Sequence, residues 1–300
     1  MSVLLAVVDT GSFSAAGRHL GMPLATVSRK VAELESHLKT RLINRTTRQL
    51  SLTDAGQSYV AACRRVLEDI AEAERAATGE YAAPKGELVV TAPIVFGRLH
   101  LVPIVAEFLT LYPDINVHLA LTDRQVHLLQ EHVDAAVRIG HLPDSSLVAT
   151  KVGATRPLVC ASPAYLSRNG IPRHPVDLAK HQCIMFEGLF PTGSWIFMVG
   201  QSAVSVQVCS RLMVNTAEAA IAAAVKGLGL TNVLSYQVAE LVANGALEVV
   251  LEEFKAELRP VSLVHAGQSP LPLKLRVFLD FVTPRLRACN YLVESPRGTA

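Results

Sequence analysis

The stretch PLATVSRKVAELESHL, residues 23–38, constrains the fold most, because its apolar residues recur at helical spacing. Four of them fall on one stripe of an α-helix: Val27, Val31, Leu34 and Leu38. Three small, polar or basic residues face away from that stripe: Ala25, Thr26 and Arg29. The pattern predicts a helix that packs on a domain through one side. Its basic, hydroxyl-bearing first turn is left to contact something else.

The preceding segment SFSAAGRHLGM predicts a second, shorter helix, capped by Ser14 and ended by Gly21. Two helices joined by a tight glycine-containing turn form a helix-turn-helix, whose second helix enters the major groove of DNA. The alternative is an ordinary amphipathic helical hairpin with no nucleic acid partner.

The segment RLINRTTRQLSLT, residues 41–53, predicts a β-hairpin directly after the two helices. Arg45 and Arg48 flank two threonines at its tip, and such side chains on a projecting loop suit phosphate contacts and minor-groove insertion. A lone exposed arginine is usually only a solvated charge. Two arginines on a hairpin that follows a helix-turn-helix favour DNA.

Charge is concentrated at the front of the chain, although the whole protein has a net charge of only +2. Residues 1–52 hold seven Lys/Arg and three Asp/Glu, a net charge of +4, whereas residues 53–80 hold three and six, a net charge of −3. A small basic segment on a nearly neutral body is therefore the electrostatic pattern to be explained.

These motifs together resemble the winged helix-turn-helix of LysR-type transcriptional regulators, and the resemblance runs through the whole chain. It rests on three segments: TGSFSAAGRHLGM, TVSRKVAELESHL and RLINRTTRQLSLTDAG. Residues 1–52 would be a mainly α-helical DNA-binding domain, with its helix-turn-helix between about Phe13 and Ala32. The DNA contacts that the resemblance implies are Leu24, Ala25, Thr26, Ser28, Arg29, Arg45 and Arg48.

Two features depart from the family pattern. Met1 falls inside the helix with which the family usually begins, which leaves open whether it is the native start. Pro23 and Leu24 stand where the family often has Ser-Gln or Ser-Pro, so a serine cap on the second helix is missing. Proline at the first helical position partly compensates, because its lost N–H would have no partner there.

Residues 53–80 predict a linker helix with Thr53 as its N-cap. A heptad-like seam runs along it through Tyr59, Cys63, Val66, Ile70, Ala73 and Ala77. The stripe could instead pack on its own domain. The resemblance favours the seam, since these regulators dimerise through this helix, and a dimer would match a pseudo-palindromic site. Residues 81–86, with Pro84 and Gly86, predict a hinge.

Residues 87–300 predict an α/β effector domain with largely parallel strands. ELVVTA, INVHLAL and DAAVRIG read as strands, and RLHLVPIVAEFLTLY and VHLLQEH as helices between them. A second lobe of the same kind spans about residues 157–261, and the first comprises about 87–156 and 262–290. The resemblance implies a two-lobed domain similar to periplasmic solute-binding proteins, with the ligand between the lobes.

Three segments offer polar groups at the expected ligand site. TAP (91–93) and LTD (121–123) end strands and are each expected to open a helix whose free N–H groups attract an anion. VNTAEAA (214–220) predicts a helix capped by Asn215, with Glu218 completing a capping box. The resemblance implies effector contacts near Pro93, Thr122, Asp123, Arg138 and Phe186, and the capping pattern adds Asn215 as a candidate. Capping alone would also explain Asn215, and a structural salt bridge would equally explain Arg138.

Other classes of protein find less support. The five cysteines are scattered without a Cys-x-x-Cys pair, which disfavours a disulfide framework or zinc site and suits a reducing cytosol. A redox-sensing pair is the less favoured alternative to buried core residues. The most apolar stretch, near 217–234, contains Glu218 and Lys226, so no membrane span is predicted. The motifs typical of serine hydrolases, P-loop enzymes, zinc proteases and dinucleotide-binding enzymes do not occur, so no enzymatic activity, metal or cofactor is predicted.

The sequence therefore predicts a cytoplasmic, DNA-binding transcriptional regulator that responds to a small organic anion. Its expected partners are double-stranded DNA, the effector and further copies of the chain in a homodimer or homotetramer. The resemblance also allows a contact with RNA polymerase. A pure solute-binding protein is the remaining alternative, and the basic segment 1–52 argues against it.

Overall fold

The structure is a computed structural model that describes residues 1–45, 50–78, 83–142, 147–188, 193–267 and 271–289. The chain divides into two compact units, Met1–Ala83 and Pro84–Ala300. Each unit has its own hydrophobic core, so the two are described separately.

The first unit is a winged helix-turn-helix followed by a long helix. Its elements are α1 (Ser2–Asp9), α2 (Phe13–Leu20), α3 (Leu24–Leu38), β1 (Ile43–Arg45), β2 (Leu50–Leu52) and α4 (Asp54–Thr78). β1 and β2 pair antiparallel, as the hairpin prediction required. The predicted tip, which includes Arg48, lies outside the described residues.

The two helices of the motif are joined as predicted, but their first turns differ from the prediction. Ser12, and not Ser14, caps α2, because the backbone at Ser12 is extended and its side chain accepts the Ala15 N–H at 3.0 Å. Gly21 ends α2 in the left-handed conformation, as expected. Pro23 precedes α3 as its N-cap instead of opening it, and its side chain supplies no cap hydrogen bond.

Four helices, α1 to α4, and the start of the wing share the core of this unit. Val27 and Val31 are fully buried in it, and Leu34 and Leu38 pack at its edge, which confirms the predicted stripe. α4 begins against the wing, where a Cβ on Gly56 would lie 2.0 Å from the Leu42 carbonyl oxygen. The Thr53 hydroxyl accepts the Gly56 N–H at 2.9 Å, so the predicted cap of α4 is confirmed.

The second unit begins with the first lobe. Its strands are β3 (Gly86–Ala92), β4 (Ile115–Leu121), β5 (Ala135–Ile139), β6 (Leu147–Thr155) and β14 (Arg259–Ala266), in the sheet order β4-β3-β5-β14-β6. Its helices are α5 (Ile94–Leu111), which contains a π-helical segment at Gly97–Leu101, and α9 (Leu273–Ala288).

The chain crosses from β6 into the second lobe and returns through β14. This lobe holds β7 (Pro157–Ala161), β8 (Cys183–Phe186), β11 (Ser210–Val214), β12 (Leu230–Leu234) and β13 (Glu248–Val250), in the sheet order β11-β8-β12-β7-β13. β9 (Ser194–Val199) and β10 (Ser202–Gln207) form a separate hairpin. The helices are α6 (Pro163–Asn169), α7 (Ala217–Val225) and α8 (Ser235–Ala243), with 3-10 turns at Pro175–Lys180 and Glu252–Phe254.

Two predictions about this unit are wrong. The strands are not largely parallel, because β14 and β7 each run antiparallel to both of their neighbours. The segment 126–132 is a series of turns and not a helix. Val126 and Leu128 are both buried there, and Arg124 ties the segment to Glu131, so tertiary packing overrides the helical pattern.

α5 is the one helix in the described part of the chain that is long and apolar enough to cross a membrane, judged by length and composition alone. Its Phe96, Leu101 and Phe108 are fully buried in the core of the α/β unit, which explains its apolar character without a membrane. The predicted 217–234 stretch is divided between α7 and β12.

Three of the five cysteines, Cys63, Cys160 and Cys183, are buried. Burial raises the pKa of the Cys160 and Cys183 thiols to about 12, which disfavours the reactive thiolate. These side chains therefore serve as small core residues.

Candidate functional site

The first candidate site is the outward face of α3. Leu24, Ala25 and Arg29 are exposed, and Thr26 and Ser28 are half-buried at the edge of that face. Leu24 is 51% exposed on this face. The structure therefore brings all five predicted residues of α3 onto the side that the core leaves free.

Arg29 is held loosely on this face. Its Nε lies 3.6 Å from Glu33 Oε1 one turn further along the helix, and both side chains are more than half exposed. An exposed pair of this kind contributes little to stability, so the guanidinium is available to another partner at small cost.

Glu35 fixes the wing to α3, a role that the sequence analysis did not predict. Its Oε1 accepts two backbone N–H groups, from Leu42 at 2.8 Å and from Ile43 at 3.1 Å. Ile43 is the first residue of β1, so one carboxylate on α3 sets where the hairpin begins. In the sequence, Glu35 looks like an exposed charge on a helix. Its role is seen only in the structure, where it contacts the backbone seven and eight residues further along the chain. The backbone of β1 includes Arg45, the other wing residue predicted to contact DNA.

A helix follows the wing at Asp54–Thr78, and the part of its predicted seam whose burial is described is only partly exposed. Cys63 is 2% exposed and belongs to the core of the first unit, so it cannot contact a second chain. Val66 and Ile70 are 44% and 48% exposed, one helical turn apart. The first part of α4 therefore packs on the protein's own domain, which was the alternative to a dimer contact. Exposed apolar residues of the predicted seam begin at Val66.

The second candidate site is a cleft between the two lobes, with a volume of about 840 Å³. Five of the six predicted effector residues line it: Pro93, Thr122, Asp123, Arg138 and Phe186. They come from the ends of β3, β4, β5 and β8, as expected for ligand sites in α/β folds.

Asn215 is not one of the residues that line this cleft, and it does not cap α7. Thr216 is the N-cap, and its hydroxyl accepts the Ala219 N–H at 3.3 Å. Glu218 pairs instead with Arg98 of the first lobe, whose Nε lies 3.0 Å from its Oε1. The predicted cap at Asn215 is therefore wrong by one residue.

Asp123 makes one end of the cleft acidic, at the helix start where the sequence predicted a site that attracts an anion. Its Oδ1 accepts the Ile94 N–H at 3.1 Å, so the start of α5 already holds an internal carboxylate where an anionic ligand was expected. Burial raises the pKa of the Asp123 carboxyl, the Ile94 hydrogen bond opposes this rise, and nearby Glu218 adds to it. No helix begins after Thr122 and Asp123, so LTD provides no second helix terminus.

The positive charge of the cleft comes from arginines. Arg124, Arg138 and Arg259 line it, against Asp123 as the one acidic lining residue that the structure describes. Arg124 is paired with Glu131, and this hydrogen bond is the main cause that lowers the pKa of the Glu131 carboxyl to about 2. Arg138 donates from Nη2 to the Val126 carbonyl oxygen, and burial lowers its pKa. Its main interaction is therefore not the strand-end salt bridge that the sequence also allowed.

The contribution of α8 and β14 to the cleft was not predicted from the sequence. Tyr236 and Gln237 lie at the start of α8, directly after β12, and Arg259 is the first residue of β14. The first two obey the same strand-to-helix rule that identified TAP, and applying it to VLSYQ would have found them. Burial, followed by the charge of Asp123, raises the pKa of the Tyr236 phenol.

Within the described ranges, no group of three or more His, Cys, Asp or Glu side chains is arranged to hold a metal ion.

Comparison with known proteins identifies both units. Residues 1–57 match the family model for the bacterial regulatory helix-turn-helix protein of the lysR family, and residues 82–287 match the LysR substrate binding domain. Among curated relatives, the regulator CrgA of Neisseria meningitidis serogroup B is 33% identical over 95% of this chain and 96% of its own length. The transcriptional activator AaeR of Escherichia coli K12 is 31% identical over 98% of this chain and 93% of its own length.

Solved structures agree. CrgA, described as a LysR-type transcriptional regulator from Neisseria meningitidis, aligns with a TM-score of 0.62 at 33% identity, covering 95% of this chain and 97% of that one. Full-length AphB, a Vibrio cholerae virulence activator, aligns with a TM-score of 0.60 at 28% identity, covering 94% and 96%. These matches exclude an enzyme and an isolated solute-binding protein. The chain belongs to the LysR family of DNA-binding transcriptional regulators.

Proposed function

We propose that this LysR-type regulator binds a pseudo-palindromic promoter site as a homodimer or homotetramer and responds to a small organic anion in the cleft. The proposed division is a DNA-binding head at 1–52, a dimerisation helix at 53–80, a hinge at 81–86 and an effector domain at 87–300. A cytoplasmic location follows from DNA as the target.

The observation that carries the DNA contacts is the division of α3 into two faces. Val27 and Val31 are buried, and the opposite side presents Thr26, Ser28 and Arg29. Hydroxyl and guanidinium groups at the start of a recognition helix can contact base edges in the major groove. The other six basic residues of segment 1–52 would supply the phosphate contacts.

Val66 and Ile70 support α4 as the dimer contact, because two exposed apolar residues one turn apart suit a partner helix. Two heads on one duplex would bind together with a high effective concentration. This arrangement explains how a head with a net charge of only +4 could hold a promoter site at physiological salt.

An anionic effector is supported by the balance of charge in the cleft. Arg138 and Arg259 line it together with many apolar side chains, and Asp123 opposes them at one end. A monocarboxylate with an apolar body suits this lining better than a phosphate ester of higher charge.

The function is tested by selecting genomic fragments with the full-length chain and measuring gel shifts on those recovered, including the region upstream of its own gene. We expect one site bound at least about a thousand-fold more tightly than random DNA. Adding carboxylates should change the complex, and RNA polymerase should bind next to it. Equal affinity for all fragments would refute the proposed sequence-specific regulation.

Arg29→Ala should reduce discrimination at one base position by about 1–3 kcal/mol, because a bidentate contact to a base edge is lost. Arg29→Lys keeps the positive charge but cannot make two parallel hydrogen bonds to one base. It should therefore lose the same discrimination between bases and retain the affinity for non-specific DNA. Quantitative gel shifts on a site with single base changes measure both. Equal loss of specific and non-specific affinity in Arg29→Ala would assign Arg29 to the phosphates.

Glu35→Ala should weaken DNA binding and flatten its salt dependence by about one unit for each phosphate contact of the wing that is lost. Glu35→Gln keeps an acceptor for the two wing N–H groups and should be affected less. Arg48→Ala, which removes a predicted wing contact, should add little to Glu35→Ala.

Glu33→Ala, on the exposed side of the same helix, is the control for this series. If Glu35→Ala lowers the melting temperature but leaves the salt slope as in wild type, Glu35 stabilises the head without positioning the wing.

Ile70→Glu should convert the protein to a monomer and sharply lower its DNA affinity. Because Ile70 is 48% exposed within one chain, the carboxylate is tolerated in the monomer and is costly only where a partner would bury it. Light scattering should then give the mass of one 32.3 kDa chain. Ala61→Glu is the matched control, because Ala61 is also exposed but lies on the opposite side of α4 from Ile70. An Ile70→Glu dimer of normal affinity would place the contact elsewhere.

Arg138→Ala should weaken the effect of carboxylates on the DNA complex by about ten-fold or more, because a charge-assisted hydrogen bond contributes about 1.5–3 kcal/mol. DNA binding without effector should be retained. Calorimetry with wild type and variant checks the expectation, and undiminished carboxylate binding by Arg138→Ala would remove Arg138 from the site.

A further inference from the structure

The two carboxylate oxygens of Asp123 differ in their surroundings. Oδ1 accepts the Ile94 N–H at 3.1 Å, whereas Oδ2 is buried and has no hydrogen-bond partner among the described residues. A buried carboxylate oxygen that accepts nothing has lost its hydration without compensation. A donor that reached this oxygen, after neighbouring groups had moved aside, would restore the lost interaction.

Asp123 lies where the two lobes approach each other. It follows β4 of the first lobe, and a Cβ on Gly188 of the second lobe would be only 3.2 Å from the Asp123 Cβ. Phe186 and Tyr236 of the second lobe line the same cleft. A ligand group that reaches Asp123 therefore contacts both lobes.

Resting on the proposed function, we infer that the effector is a hydroxylated carboxylate, whose hydroxyl donates to Asp123 Oδ2 while its acid group binds the arginines of the cleft. The hydroxyl supplies the missing donor without adding charge. An ammonium group would meet three lining arginines, and a second carboxylate would meet Asp123 itself. The apolar residues between these groups accept the carbon skeleton.

The competing explanation is that Asp123 only caps α5. Asp123→Asn separates the two, because the amide oxygen can still accept the Ile94 N–H while an NH₂ group replaces Oδ2. The variant should keep the cap and lose the acceptor. It should therefore no longer prefer a hydroxyl to an ether oxygen, because the new NH₂ group can donate to either.

The test is calorimetry of the full-length protein with butyrate, hexanoate and octanoate, each as the unsubstituted, ω-hydroxy and ω-methoxy acid. At one chain length the hydroxy acid should bind at least about ten-fold more tightly than the other two, as expected for a hydrogen bond to a charged group. Asp123→Asn should abolish that preference and retain DNA binding, and the unsubstituted acid should bind it at least as tightly as it binds wild type, because one negative charge is removed from the cleft.

The hydroxyl inference is overturned if no chain length shows a preference for the hydroxy acid, or if Asp123→Asn retains the wild-type preference. The first comparison uses only the wild-type protein, so it decides the matter even if the variant does not fold. If no carboxylate binds while the gel shift is normal, the effector class is wrong and the DNA-binding function stands. If sequence-specific DNA binding fails while a hydroxy acid binds as described, the proposed function fails and the ligand inference stands.

Discussion

The burial of Val27 and Val31 is the constraint on which the first unit depends. It sets the rotation of α3 about its own axis, and with it the identity of the residues that face outward. Glu35, on the same helix, holds Leu42 and Ile43, so the wing begins at a fixed place relative to that outward face. α4 buries Cys63 in the same core. Recognition helix, wing and linker therefore share one core, and displacing α3 would disturb all three.

The sequence predicted correctly those elements whose apolar spacing fits only one kind of secondary structure. It failed where two local structures fit the sequence equally well and contacts with distant residues decide between them. The stripe of α3 is an example of the first kind. Ser12 and Ser14 both suit a cap by composition, and the extended backbone at Ser12 decides between them. The turns at 126–132 carry an apolar pattern that also fits a helix. Val126 and Leu128 pack into a core with Val264 of the distant strand β14, which no local pattern encodes.

The candidate cleft was predictable in position but not in polarity. Strand ends and the family resemblance placed Pro93, Thr122 and Asp123 together, and the structure does bring them to one cleft. That Asp123 would occupy the free N–H of Ile94 was not visible, because the two residues are 29 positions apart and their pairing depends on the register of β3 and β4. One end of the cleft is consequently acidic and hydrogen-bonded, and the arginines supply the positive charge.

The same helix that Asp123 holds also carries contacts between the lobes. Beyond Ile94, the Phe96 ring packs edge-on against Tyr236 at 5.6 Å between centroids, and Arg98 pairs with Glu218 in the π-helical segment. Tyr236 itself lines the cleft, so a molecule at Asp123 touches the anchor of α5 and its partner across the cleft. An effector shifts a conformational equilibrium only through unequal affinity for the two states. In this domain, the contacts that a relative movement of the lobes would change are those of α5 with Tyr236 and Glu218, and Tyr236 is the one of these two partners that also lines the cleft.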